Sequence, residues 1–239
     1  MKETKTIRKV KSPSGEIEYT LIRKSVKNLN LRIKEDGSVT VSVPARTAMK
    51  YADEFVVNKG DFIIKAIEKF KKRDKMLPKP REYKTGELIP LFDEKLPLII
   101  INGKNAGVLR VGNELIMTVT EDSDREKLLD EFYKAECAET FSRILNELYP
   151  YFEERSIPKP LVKIRKMRSR WGSCLTSKGV ITLNLRLSEA PVKAAEYVIL
   201  HELCHLVVPD HSKRFHDLVS SLMPDWKDRK KLLNESVRL

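Results

Sequence analysis

The sequence predicts an α+β protein, in which a small β-rich N-terminal module precedes a domain of helices and one β-hairpin. Short N-terminal segments alternate apolar and polar residues, as half-buried strands do. Two long segments, 47–72 and 123–155, repeat apolar residues at helical spacing. We therefore expect a strand-rich module with one long helix over residues 1–76, a linker and small sheet over 77–120, and a third domain over 121–239.

The N-terminal elements follow from turn residues and periodicity. Strands are predicted at residues 17–23, 29–34 and 38–43, with turn-forming residues between them. The helix predicted over 47–72 is weakened in its middle by Gly60, where it can break in two. Its apolar stripe comprises Phe55, Val56, Phe62, Ile63, Ala66, Ile67 and Phe70.

The middle of the chain is predicted to contain a linker, a small sheet and a long helix. Residues 77–80 include two prolines and are typical of a stiff linker. Strands are predicted at 95–101, 108–111 and 114–118. The long helix then spans residues 123–155 and leads to the hairpin.

A β-hairpin is predicted within residues 168–187. Apolar and polar residues alternate over 180–187, and a turn at 176–179 joins this strand to the preceding segment. An exposed strand edge here can hold an extended peptide by backbone hydrogen bonds. The alternative is an ordinary hairpin with a packed tryptophan. The candidate substrate-binding residues are Trp171, Gly172, Ser173 and Asn184.

All four histidines lie within residues 201–216, and the first two frame a glutamate in an HExxH motif. Residues i and i+4 share one face of a helix, so His201 and His205 can bind one metal ion. The apolar segment 192–200 indicates that this helix is partly buried. A proline at position 209 ends the helix just before His211, which gives the ligand spacing of three-histidine zinc hydrolases.

This arrangement favours a catalytic Zn2+ site. Three protein ligands leave a fourth position open for a water molecule, whose pKa the metal lowers to about 7. Glu202 is placed to take a proton from that water as general base. Cys204 points away from the ligand face and is interpreted as core packing, and His216 as a surface or supporting residue. Chance occurrence of the motif and a purely structural metal are the alternatives.

Several motifs stand out in the C-terminal half of the chain: WGSC at 171–174, GVITLN at 179–184, YVILHELCHL at 197–206 and HSKRF at 211–215. Together they resemble the YgjP-like metallopeptidases, which are related to the SprT-like zinc metallopeptidases. The resemblance runs from about residue 19 to residue 225, with weaker matches at 23–25, 31–33, 36–39 and 41–44. Two departures are Phe62, where the family would have tryptophan, and His216, where tryptophan usually follows the phenylalanine.

The resemblance implies a zincin-like metallopeptidase domain, in which a helix, a β-hairpin, the HExxH helix and closing helices follow one another. It also implies that His201, His205 and His211 bind Zn2+ and that Glu202 is the catalytic base.

Composition bounds the remaining possibilities. Of 239 residues, 41% are hydrophobic and 33% charged, as in a soluble globular protein. No apolar run approaches the length of a membrane-spanning helix, so no membrane partner is expected. The N-terminal residues are too polar for a secretory signal. The three cysteines, Cys137, Cys174 and Cys204, form no disulfide framework, and we therefore expect a cytoplasmic protein.

The net charge of +12 is concentrated in residues 1–80 and 161–239. Such a basic excess is compatible with a nucleic-acid partner and equally with a solvated basic surface. The basic residues before the hairpin are Lys163, Arg165, Lys166, Arg168 and Arg170.

Three functions remain open. The first is a zinc metallopeptidase that acts on peptides or unfolded proteins, the second a zinc-dependent phosphoanhydride or nucleotide hydrolase, and the third a nonenzymatic nucleic-acid-binding module with a structural metal. Glu202 argues against the third, because a structural site has no use for a base. The hairpin edge favours peptides and the basic residues favour phosphates. We predict the peptidase.

Overall fold

The computed structural model describes residues 4–34, 36–76 and 81–237. The chain divides into two compact units, Met1–Leu77 and Pro78–Leu239, each with a hydrophobic core of its own. Both contain helices and sheets, so the α+β class is confirmed. The predicted linker at residues 77–80 lies outside the described residues.

The first unit contains a four-stranded sheet with the order β1-β2-β4-β3. Strands β2 and β4 pair in parallel, and the outer pairs are antiparallel. The three predicted strands are confirmed, but β1 was not predicted, because its polar, lysine-rich sequence gives little apolar signal at the edge of the sheet. The strands are β1 (Thr4–Ser12), β2 (Gly15–Arg23), β3 (Asn30–Ile33) and β4 (Val39–Val43).

Two helices, α1 (Met49–Asn58) and α2 (Gly60–Met76), stand where one helix was predicted. The break falls at Gly60, where a Cβ atom would lie 2.6 Å from the Ser12 side chain. Phe62 is exposed in α2, so it does not lie on a buried face with the rest of the predicted apolar stripe. The core of the unit comprises Ile17, Tyr19, Leu21, Val39, Val41, Val43, Ala52, Val56 and Ile63.

The second unit begins with a four-stranded sheet in the order β5-β6-β8-β7. Three of its strands were predicted; the short β5 was missed because Pro90 interrupts its apolar run. Side chains from this sheet, including Leu98 and Met117, belong to the same core as the C-terminal helices. The strands are β5 (Leu88–Leu91), β6 (Glu94–Asn102), β7 (Gly107–Val111) and β8 (Glu114–Val119).

The predicted long helix is α3 (Arg125–Leu148), followed by the short α4 (Pro150–Glu153). Asp124 caps α3 by accepting a hydrogen bond from the Lys127 N–H at 3.0 Å. The prediction of one uninterrupted helix was wrong, because Pro150 cannot continue the hydrogen-bond ladder of α3.

A three-stranded sheet carries the predicted hairpin, which is confirmed as the antiparallel pair β10 (Gly172–Leu175) and β11 (Val180–Asn184). Strand β9 (Leu161–Arg165), which was not predicted, pairs in parallel with β11 and leaves β10 at one edge. The prediction extended β11 to residue 187, but the strand ends at Asn184. The Asn184 side chain accepts a hydrogen bond from the Arg186 N–H and starts a 3-10 turn there.

Three helices complete the second unit: α5 (Val192–His205), α6 (Lys213–Leu222) and α7 (Trp226–Ser236). Helix α5 is largely buried, and Ala194, Ala195, Leu200 and Leu203 lie within the core. A helix packed in this way presents its few polar side chains at fixed positions. None of the helices that the structure describes is long and apolar enough to cross a membrane.

Candidate metal centre

Helix α5 brings the first two predicted ligands together at its C-terminal end. His201 and His205 are one helical turn apart, and their Nε2 atoms are separated by 3.2 Å. The Nδ1 atom of His205 lies 3.2 Å from the Val208 carbonyl oxygen. Because a carbonyl only accepts hydrogen bonds, Nδ1 carries the proton and Nε2 keeps a free electron pair. His205 is therefore oriented as a metal ligand.

His211 reaches the same point from the loop between α5 and α6. The helix ends before Pro209, and the Asp210 carboxylate accepts a hydrogen bond from the Ser212 N–H at 3.2 Å as the chain turns back. The Nε2 atom of His211 lies 3.0 Å from that of His201. The loop thus brings His211 to the other two histidines of the predicted group.

The three imidazoles form a group that could hold a metal ion, since one nitrogen from each lies within 4.8 Å of the others. Tetrahedral Zn2+ with Zn–N distances of about 2.0–2.1 Å separates its ligand nitrogens by roughly 3.3 Å, close to the two short separations here. Burial, together with the neighbouring His205 and His211, lowers the pKa of His201 to about 3. The pKa of His205 is also lowered, mainly by burial. Neutral imidazoles are the form that binds metals.

Phe215 supports all three rings from helix α6. It is 1% exposed, and its ring centroid lies 4.8 Å from that of His201, 4.5 Å from that of His205 and 4.9 Å from that of His211. A rigid aromatic ring beneath the group restricts the imidazoles to few rotamers. The sequence prediction did not include Phe215, although its position four residues after His211 was a usable signal.

Glu202 is next to the ligands but buried, with only 5% of its surface exposed. Burial raises the pKa of its carboxyl to about 7, and the charge of Arg170 acts in the opposite direction. A Cβ atom built on Gly172 would lie 2.5 Å from Oε1 of Glu202. The start of strand β10 therefore passes directly against the carboxyl group, and only glycine leaves room for it.

The four predicted substrate-binding residues have different surroundings. Trp171, Gly172 and Ser173 are half-buried at the start of β10. Asn184 is fully buried, and its side chain makes hydrogen bonds to the backbone of Met167, Arg170 and Arg186. Asn184 thus exposes no surface in this structure and instead holds the segment that leads into β10.

Two further residues of this region, His216 and Cys204, are not part of the three-histidine group, although the His216 ring lies 6.4 Å from that of His211. His216 is exposed and stacks on Trp226, with ring centroids 5.7 Å apart, and it is not in the three-histidine group. Cys204 is fully buried in the core. Tyr197, which the sequence prediction did not include, lies four residues before His201, and its ring makes an edge contact with the His201 ring at 5.8 Å.

Comparisons with known proteins identify the family. Residues 27–236 match the YgjP-like family, described as a metallopeptidase domain. One solved structure with similarity is the metallopeptidase zymogen abylysin of Pyrococcus abyssi, at 21% sequence identity and a TM-score of 0.34, which covers 38% of this chain and 88% of that chain. No curated protein matches.

The match covers most of the chain, which therefore belongs to the YgjP-like family and is a metallopeptidase. Membership implies a metal cofactor, and the group of His201, His205 and His211 is able to hold one.

Proposed function

We propose that the protein is a zinc-dependent peptidase of the zincin type, in which His201, His205 and His211 hold Zn2+ and Glu202 is the general base. The observation that carries this proposal is the convergence of three imidazole nitrogens beside one buried carboxyl group. Structural zinc sites normally recruit thiolates to close the coordination sphere, whereas Cys204 is enclosed in the core. Three nitrogen ligands suit a catalytic site with an open position.

The reaction we propose is hydrolysis of a peptide bond. Zn2+ supplies a Lewis acid that lowers the pKa of water and polarises a carbonyl group. Glu202 takes the proton of the attacking water and passes it to the leaving amine. The His205 ring is held in its binding orientation by the Val208 carbonyl, and Phe215 restricts all three ligand rings. Because only 5% of Glu202 is exposed, little bulk water reaches its side chain.

An extended peptide or an unfolded protein segment is the substrate we propose. Among the described strands, β10 pairs with β11 alone, so its other edge can pair with a peptide. Gly172, the first residue of that edge, adjoins Glu202. We propose that Trp171, Gly172 and Ser173 contact the peptide and that Asn184 acts by positioning them.

A nucleic acid is a further partner that we propose, and one observation favours it. Residues 156–188 contain no Asp or Glu. Lys163 and Arg165 are exposed on β9, and within the described residues neither makes an ion pair. A mobility-shift titration at low salt tests this: Lys163→Gln with Arg165→Gln should weaken binding, and affinity should fall steeply between about 50 and 200 mM salt. Absence of any shift at micromolar protein would remove nucleic acid as a partner.

The test of the peptidase proposal is an assay of zinc-loaded protein against casein and, in parallel, against a panel of nucleotides. We expect casein to be cleaved, and Glu202→Gln to retain zinc but lose hydrolysis, because an amide cannot accept the proton. Cleavage of nucleotides without casein would instead support the phosphoanhydride hydrolase. A Glu202→Gln variant with wild-type turnover would contradict the role of Glu202.

A further inference from the structure

The sheet beside the site is unusual in charge. Residues 156–188 hold eight Lys or Arg and no acidic residue. Some of these side chains find partners elsewhere: Lys166 makes ion pairs with Glu126 and Asp130, and Arg186 with Glu189. Within the part of the chain that the structure describes, Arg170 makes no ion pair and its side chain donates no hydrogen bond. No carboxylate of the described residues therefore lies within ion-pair distance of its guanidinium.

The backbone at Arg170 is held rigidly. Nδ2 of the fully buried Asn184 donates to the carbonyl oxygens of Arg170 and Met167, at 2.8 Å each. The Asn184 N–H donates to the Trp171 carbonyl at 2.8 Å, so residues on both sides of the segment are fixed to β11. Buried polar networks that are fully satisfied rigidify the segment they hold. The backbone of Arg170 is therefore held in a fixed position before any substrate binds.

That position adjoins the proposed general base. Gly172, two residues after Arg170, leaves no space for a Cβ atom between the backbone and the Glu202 carboxyl group. The charge of Arg170 lowers the pKa of Glu202, against the larger effect of burial. No hydrogen bond joins the two side chains, so the donors of the exposed guanidinium remain available to a ligand.

We propose that Arg170 binds a carboxylate of the peptide substrate close to the scissile bond. This inference rests on the proposed peptidase function and specifies its substrate class. A guanidinium presents paired N–H groups that match the two oxygens of a carboxylate. A peptide along β10 offers such a group from two sources, an acidic side chain or its own C-terminus. The first makes the enzyme selective for acidic sequences, and the second makes it act near chain ends.

The experiment compares three fluorogenic peptides of one parent sequence with full-length, zinc-loaded protein. The first is neutral with an amidated C-terminus, the second carries Glu in place of Gln beside the cleaved bond, and the third is neutral with a free C-terminus. We expect one of the two charged peptides to exceed the neutral one by about 10- to 100-fold in kcat/KM, the range of a hydrogen bond to a charged group. Which peptide is preferred identifies the source of the carboxylate.

Arg170→Gln should lower kcat/KM for the preferred peptide to the value found for the neutral peptide. Arg170→Lys should retain part of the preference, since it keeps the charge but loses the paired donors. Arg168→Gln removes the same charge from the same segment and is the matched control, which should keep the preference. Peptide binding is measured independently by fluorescence anisotropy in a zinc-loaded Glu202→Gln background. Adding Arg170→Gln should weaken the binding of the preferred peptide and leave the binding of the other two unchanged.

The outcomes separate the two proposals. If the wild type cleaves the neutral and charged peptides equally well, the peptidase function stands and the carboxylate site is refuted. If Arg170→Gln lowers kcat/KM for all three peptides by the same factor, Arg170 is not a carboxylate site. The same conclusion follows if Arg168→Gln also removes the preference for the charged peptide. If the zinc-loaded wild type cleaves no peptide, the proposed function fails and this inference fails with it.

Discussion

Replacing Gly172 by alanine should disable the site without unfolding the protein. The added Cβ would lie 2.5 Å from Oε1, 2.7 Å from Cγ and 2.9 Å from Cδ of Glu202. Nonbonded carbon atoms rest at about 3.5–4.0 Å, so the carboxyl group must move by roughly 1 Å. Glu202 is enclosed by its neighbours, and a shift of about 1 Å in a catalytic group can lower the rate roughly 100-fold.

The cost in stability should be smaller than the cost in activity. The atoms that meet the new methyl group belong to the end of a side chain and not to backbone, so the overpacking penalty is expected near about 1 kcal/mol. The assay measures kcat on a peptide, zinc content and urea denaturation for the same preparation. We expect a loss of kcat of about 100-fold with zinc retained.

Gly107→Ala is the matched control. Gly107 lies in β7, and a Cβ atom there would meet nothing within 4 Å, so the same substitution should leave activity and stability unchanged. A Gly172→Ala variant with wild-type kcat would refute the close approach of β10 to Glu202 and the role derived from it.

Two further substitutions test hydrogen bonds that stabilise the two units, one in each unit. Asn184→Ala removes the partner of the Met167 and Arg170 carbonyls, so urea denaturation should show a loss of about 2–4 kcal/mol. In the first unit, Arg8 donates two hydrogen bonds to Asp53, which Tyr19 also contacts, and the hydrogen bonds from Arg8 hold the pKa of Asp53 below its usual range. A carboxyl group whose pKa is lowered by folding stabilises the folded state fully when the pH is above its unfolded-state pKa of about 4. This stabilisation is lost as the pH falls. Hydrogen exchange of β2 amides should therefore show that Asp53→Asn is destabilising at pH 6, with the difference from wild type shrinking toward pH 3.

Much of the site was predictable because its signals are local. The i, i+4 spacing of the HExxH motif and the proline that ends α5 predicted that His201, His205 and His211 come together, as they do in the structure, and alternation with a turn predicted the hairpin. The same reasoning located eight of the eleven strands that the structure describes, including the two strands of the hairpin. Both long helices were located, and the possible break at Gly60 was anticipated, but the interruption at Pro150 was not.

The remaining features depend on contacts between distant residues. Periodicity extended β11 to residue 187, but the strand ends at Asn184, whose side chain caps the following turn at Arg186 and also bonds to the backbone of Met167, 17 residues earlier. The position of Arg170 near Glu202 also follows from this contact and from the bare backbone of Gly172. Strand β1 is polar and β5 contains a proline, so pairing with neighbouring strands decides their conformation.

The zinc content of three purified proteins, measured by elemental analysis, tests the central claim most directly. The claim is that His201, His205 and His211, and not His216, form the metal centre. Wild-type protein and His216→Ala should each contain about one zinc per chain, and His211→Ala should lose most of it, since two imidazoles bind zinc far more weakly than three. Equal loss in the two variants would show that the third ligand is misassigned, and a wild type that binds no zinc on titration would contradict the metal centre altogether.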